Sequence, residues 1–258
     1  MTRLSLFILA LLVAAASGPA SAQDHDGDVP FPEYPHFVLG AAHSPKSYTL
    51  ALLDQFELAP SADGLPGRFE GMIRTGTDYR RIYLKGEGEG LLSEGTGEAE
   101  AQALYSRLIT SYFEAQAGVR VDTEFGDGEV RARPFLTVGL EGLAPYFFEV
   151  EPALFVSDAG DVSARFEGSY DLLLTQRLVL QPQAELNVAV QTVEDWGVGS
   201  GLNDLEVGLR LRYEIRREVA PYVGVTWLNR FGDAADFARS DGESASEALL
   251  VFGLRLWR

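Results

Sequence analysis

The chain has 258 residues, enough for one barrel-sized domain, and carries a formal net charge of −17 at pH 7. It contains no cysteine, which excludes disulfides and thiolate metal sites. The acidity disfavours nucleic acid as a partner and favours cations, although acidic loops kept soluble outside a membrane would explain the same charge.

Residues 1–22 have the layout of a secretory signal peptide. Arg3 supplies a short basic start, Leu6 to Ala16 an apolar run, and Ala20-Ser21-Ala22 a small-x-small cleavage site. Cleavage after Ala22 removes Arg3 and leaves a net charge of −18. No later apolar run reaches the roughly eighteen residues of a membrane helix, so an exported chain of this kind crosses a second membrane only as a β-barrel. Residues 23–47, QDHDGDVPFPEYPHFVLGAAHSPKS, are polar and rich in Pro and Asp, with no periodicity. They read as a flexible periplasmic tail.

From residue 48 to residue 258 the pattern is alternation. A period of two means β-strand, because successive side chains point to opposite faces. The first candidate, Tyr48 to Leu58, alternates poorly. In Gly67 to Thr75, Phe69, Gly71 and Ile73 oppose Arg68, Glu70, Met72 and Arg74. Arg81 to Leu91 follows, with Arg81, Tyr83, Lys85, Glu87 and Glu89 on one face. Its glycines, Gly86, Gly88 and Gly90, mark bends and close packing in a barrel strand. Next, Ala99, Ala101, Ala103 and Tyr105 alternate with Glu98, Glu100 and Gln102. Phe113 to Asp122 sets Phe113, Ala115, Ala117, Val119 and Val121 against Glu114, Gln116, Gly118, Arg120 and Asp122.

After the turn FGDGE, Arg133 to Glu141 places Leu136, Val138 and Leu140 outward. Across the turn GLAPY, Phe148, Val150, Pro152, Leu154 and Val156 oppose Glu149 and Glu151. Val162 to Leu172 repeats the theme. The clearest pair is Leu178 to Val190 and Leu205 to Ile215, where leucines and valines alternate with Gln181, Gln183, Glu185 and Asn187, then with Glu206, Arg210, Arg212 and Glu214. Val219 to Trp227, a loop (NRFGDAADFARSDGESAS) and Ala248 to Trp257 complete the chain. Pro152 and Pro182 sit awkwardly inside strands.

The count is about twelve strands, an even number as bacterial barrels have. A soluble β-sandwich or lipocalin-like barrel would bury the apolar face instead, and alternation alone does not separate the two. Long strands, the export signal and aromatics near strand ends (Tyr112, Phe113, Tyr146, Phe147, Phe148, Tyr213, Tyr222) favour lipid outside. The fold expected is therefore all-β: an antiparallel transmembrane β-barrel in the cell outer membrane, with a short disordered N-terminal tail.

Three segments carry a family resemblance: GLAPYFFEVE (Gly142 to Glu151), YDLLLTQRLVLQPQAELN (Tyr170 to Asn187) and GSGLNDLEVGLRLRYEIRREVAPYVGV (Gly199 to Val225). They resemble the copper resistance protein B family, CopB and its relative PcoB. Fainter matches lie in LLDQFE (Leu52 to Glu57), EAEAQALYSR (Glu98 to Arg107) and DFARSDGES (Asp236 to Ser244). The resemblance implies an outer-membrane barrel that binds copper in copper resistance or homeostasis, beside periplasmic copper proteins. Two departures stand out. Family members often carry a Met- and His-rich extension after the signal, whereas methionine occurs here only as Met1 and Met72. The chain also ends on Arg258 after Trp257, where barrels commonly end on an aromatic residue.

The candidate metal ligands are His25, His36, His43 and Met72. His25 stands among Asp24, Asp26 and Asp28, a set suited to Cu(II) or Zn(II), while a solvated polar tail is the plainer reading. Inside the barrel, Glu149, Glu151, Glu167, Asp171, Glu185, Glu206 and Glu214 would face Arg120, Arg165, Arg210 and Arg212. That is a salt-bridge network filling a narrow lumen, or a carboxylate-lined route for cations with Met72 as a soft contact. Enzymatic alternatives fare worse. A Ser–His hydrolase needs a histidine beside its nucleophile, and no predicted strand contains one. A plain porin or structural barrel is the third reading.

Overall fold

The computed structural model describes residues 46–258 apart from 61–64, 92–94 and 127–128. The signal segment and nearly all of the tail, with His25, His36 and His43, lie outside the described residues.

Thirteen strand segments form one antiparallel sheet: β1 (Tyr48–Leu58), β2 (Pro66–Gly76), β3 (Arg80–Leu91), β4 (Thr96–Leu108), β5 (Phe113–Gly126), β6 (Glu129–Ala144), β7 (Phe148–Ser157), β8 (Val162–Ser169), β9 (Leu172–Leu173), β10 (Leu178–Ala189), β11 (Gly201–Tyr213), β12 (Val219–Arg230) and β13 (Ser246–Trp257). Each neighbour pairs with the next, and β1 pairs with β13, so the sheet closes on itself. Segments β8 and β9 lie along the same side of β10, giving twelve staves. At the seam Arg258 and Ala51 exchange both backbone hydrogen bonds at 2.8 Å. Among the described residues no helix is long and apolar enough to cross a membrane.

Which face is which decides between a soluble and a membrane barrel. The apolar face is outside: Leu136 is 65% exposed, and Val138, Leu154, Val225 and Leu250 are exposed beside it. The polar face is inside, where Arg210 is 2% and Glu57 4% exposed. This inversion is unfavourable in water and favourable in lipid, where the backbone of a closed barrel leaves no hydrogen-bonding group unpaired. Exposed aromatics gather where β1 begins and β13 finishes: Tyr48, Tyr79, Tyr112, Tyr146, Phe147, Phe148 and Tyr213.

The faint alternation of β1 has a local cause. Leu53 pairs with Gly71 but Gln55 pairs with Glu70, so Asp54 is an extra residue, a β-bulge. Before it the even residues Leu50 and Leu52 line the interior; after it the odd residues Gln55 and Glu57 do. The prolines also have their places. Pro182 stands opposite the break between β8 and β9. Its carbonyl accepts from Tyr170 N–H at 3.1 Å, but it has no N–H to return, so half the exchange is lost there. The β6–β7 ladder lapses likewise near Pro152, between the Gly139–Ala153 and Gly142–Val150 pairs.

Of the three β3 glycines, Gly88 lies under an aromatic ring and Gly90 against the β4 backbone, and Gly253 on β13 also packs under a ring. A Cβ on Gly88 would stand 2.6 Å from the Phe69 ring, and one on Gly253 would stand 2.3 Å from the ring of Tyr222, its cross-strand partner. Tyr222 is thus buried inside the barrel and is not part of the outer aromatic girdle, a correction to the sequence reading.

The segment expected as a loop between β12 and β13 contains a helix, α1 (Gly232–Ser240). Its small residues Ala234, Ala235 and Ala238 are buried at helical spacing, a signal masked by the surrounding Gly, Asp and Ser. The Asn203 side chain ties down Gly199 through its N–H (2.7 Å) and its carbonyl (2.9 Å), while the Asn203 carbonyl accepts from Phe231 N–H at 2.8 Å. Only a glycine fits at 199, because a Cβ there would meet Ala234 N at 2.8 Å. Glu214 falls just beyond β11, in the turn to β12, and makes no ion pair among the described residues.

Candidate functional site

The strand pairing stacks like charges side by side. Glu70, Glu87, Glu100 and Asp122 are cross-strand neighbours on β2 to β5. Glu151, Glu167, Glu185 and Glu206 form a second ladder on β7, β8, β10 and β11. Adjacent carboxylates repel, so ladders of this kind need cations aimed at them.

The cations come from across the lumen. Arg165 on β8 donates to Glu87 (2.8 Å) and Glu100 (2.9 Å) on the opposite wall, and lies 3.3 Å from Glu185 and 3.6 Å from Glu167 on its own side. Arg68 on β2 makes a two-pronged contact with Glu206 on β11, at 2.6 and 2.7 Å. Lys85 on β3 bridges Glu151 on β7 and Glu141 on β6. Arg120 holds Glu100 and Asp122, and its guanidinium stacks on the Phe155 ring at 4.3 Å. Arg210 is tied to Glu57 (2.6 Å), Gln183 (2.6 Å) and Gln55 (2.9 Å). Arg212 reaches Asp171 at 2.7 Å, and Arg81 pairs with Glu114.

This network does not fill the whole interior. A cavity of about 730 Å³ runs from the turns bearing Asp78, Ser111 and Tyr112 down to Glu87, Glu100, Arg165 and Glu167. Eleven carboxylates line it against five cationic side chains, an excess that concentrates cations at the mouth. The excess falls on carboxylate oxygens, which prefer hard ions. Met72 lines the same wall and is its one soft donor, paired across strands with Leu52 and Lys85. Among the described residues no group of three or more His, Cys, Asp or Glu has the arrangement of a metal site. The lumen therefore does not fit a selective copper centre of its own.

Of the expected site residues, the structure places Met72 in the lumen wall. The three histidines fall outside the described residues. Sequence reading assigned the inward faces of the strands but not the partnerships. Arg68, Lys85, Glu57 and Glu87 are as central as the residues first singled out, and their partners lie 56 to 153 residues away in the chain.

A closed barrel with an apolar outer face, a charged interior and an acidic vestibule has a porin-like architecture that fits the outer membrane. The fold resembles that of the NanC porin (TM-score 0.50, 12% identity, 80% of this chain and 98% of that one). Residues 47–258 match the family model described as "Copper resistance protein B precursor (CopB)". Copper resistance protein B of Escherichia coli is 42% identical over 219 residues, covering 84% of this chain and 72% of that protein. The copper resistance protein B homolog of Pseudomonas syringae pv. tomato (strain ATCC BAA-871 / DC3000) is 44% identical over 213 residues, covering 82% and 69%. The chain belongs to the copper resistance protein B family.

Proposed function

We propose that this barrel serves copper resistance by binding copper ions at the outer membrane or passing them across it, as a non-enzymatic protein. The observation that carries the reading is the acidic vestibule in the lumen of a copper resistance family barrel. Carboxylates draw cations in without discriminating among them, so the copper preference has to come from softer donors. The candidates are Met72 and the imidazoles of His25, His36 and His43, which precede β1 in sequence. On this reading residues 1–22 are a signal peptide cleaved after Ala22, residues 23–47 present the histidines, and the aromatic-rich end with short turns faces the periplasm, where a copper-carrying protein would be the partner. The histidines' position before β1 also supports a role without catalysis, since no strand offers an imidazole base.

The test is titration of the folded mature protein with Cu(I) and Cu(II). A variant with His25, His36 and His43 all changed to Ala, and a separate Met72→Ala variant, are titrated alongside. Loss of stoichiometric Cu(II) binding in the triple variant is the expected result, with a weaker Cu(I) response in Met72→Ala. Absence of copper binding by the unaltered protein would sink the reading.

A further inference from the structure

We infer that Arg165 closes the floor of the vestibule and sets the charge preference of the lumen. Several ion pairs cross the bore, Arg68 to Glu206 and Lys85 to Glu151 among them. Arg165 gathers more carboxylates than any other cation among the described residues. It is anchored on β8 and donates to Glu87 on β3 and Glu100 on β4, five and four staves away in a ring of twelve, nearly the full diameter. Its side chain is only 10% exposed although it stands at the floor of an open vestibule. Four carboxylates from four strands converge on it: Glu87, Glu100, Glu167 and Glu185. Asn187 accepts from its Nε at 3.2 Å, and Phe155 lies against the guanidinium at 5.8 Å.

A cage of four carboxylates is the environment a migrating cation would occupy. Here the protein's own guanidinium holds that place. Since the side chain is tethered to one wall, it blocks the bore instead of travelling through it. The planar fork matters, because it meets two acceptors on the far wall at once, which a lysine ammonium does less well. Removing the positive charge would leave a vestibule floor that is net acidic, with Arg68 and Lys85 as the remaining crossings. Flow through it would then favour cations.

The measurement is single-channel conductance in planar lipid bilayers with KCl as the sole electrolyte, together with the reversal potential in a KCl gradient. Neither depends on copper, so the result stands apart from the copper reading. Wild type is expected to conduct little. Arg165→Gln should raise conductance several-fold, with the reversal potential displaced toward potassium, and Arg165→Lys should fall between the two. A second variant, Glu87→Gln with Glu100→Gln, keeps Arg165 but removes its far anchor, and it too should open; it carries the test if Arg165→Gln fails to fold. Wild-type conductance in a folded Arg165→Gln barrel would overturn the inference. So would a current carried mainly by chloride, or a Glu87→Gln/Glu100→Gln variant that stays closed.

Discussion

The most demanding consequence of the inverted interior concerns Arg210. Its guanidinium is 2% exposed and spends its donors on Glu57, Gln183 and Gln55, all within 2.9 Å. Glu57 is 4% exposed, so solvent screens neither partner. Replacing Arg210 by Met removes the cation and leaves Glu57 charged and buried, with the Gln55 carbonyl unfilled and the Gln183 carbonyl left with the Gln55 amide alone. Breaking one side of such a pair costs about 3–5 kcal/mol. At about 1.4 kcal/mol per tenfold, that is a two- to three-and-a-half-decade change in the folding equilibrium. Removing both charges, as Arg210→Met with Glu57→Leu, should restore most of the loss, since an apolar pair of similar volume fits a buried site about as well. The surface pair Arg239–Asp236 on α1 is a control: its side chains are 59% and 74% exposed, and Arg239→Ala should cost less than about 0.5 kcal/mol. Equilibrium urea unfolding of the barrel refolded into lipid bilayers measures these three variants and the single variant Glu57→Leu. An Arg210→Met loss below about 1 kcal/mol, or a double variant as unstable as the sum of its singles, would refute the picture of a buried, charge-paired cluster.

Two further outcomes follow from the strand geometry. Deleting Asp54 should leave a folded barrel, because the bulge is the extra residue and both flanking registers realign without it; only the Asp54–Arg255 pair (2.5 Å) is lost. Deleting Ala101 from β4, where pairing to β3 and β5 is continuous, should abolish folding, since a one-residue slip turns every side chain beyond it to the wrong face. Heat-modifiable migration on gels distinguishes the two. On the lipid face, Leu136→Arg near the middle of β6 should destabilise by about 2–4 kcal/mol, whereas Tyr79→Arg in the β2–β3 turn should cost about 0–1 kcal/mol. Equal costs at the two positions in the bilayer unfolding assay would mean that the exposed belt does not face hydrocarbon.

Much of this architecture is local information, and the sequence carries it openly. Alternation in β2 to β5 and in β10 and β11 assigns inward and outward faces residue by residue, because a strand's side chains have no other choice. Stave number and topology follow from turns that are short and antiparallel. Where reading along the chain faltered, a partner strand was responsible. The phase of β1 is interrupted by a bulge visible only as a register shift against β2 and β13. Tyr222 turns inward because Gly253 opposite it leaves room for a ring, and α1 is helical where alanines meet the loop held by Asn203. Family membership, too, was legible in three long segments of sequence. The ion pairing of the lumen was not. Which carboxylate meets Arg165, Arg68 or Arg210 depends on closure of the sheet, which brings residues 65 to 155 positions apart face to face across the bore. Alternation along one strand encodes the face a charge points to; only the closed barrel decides what it points at.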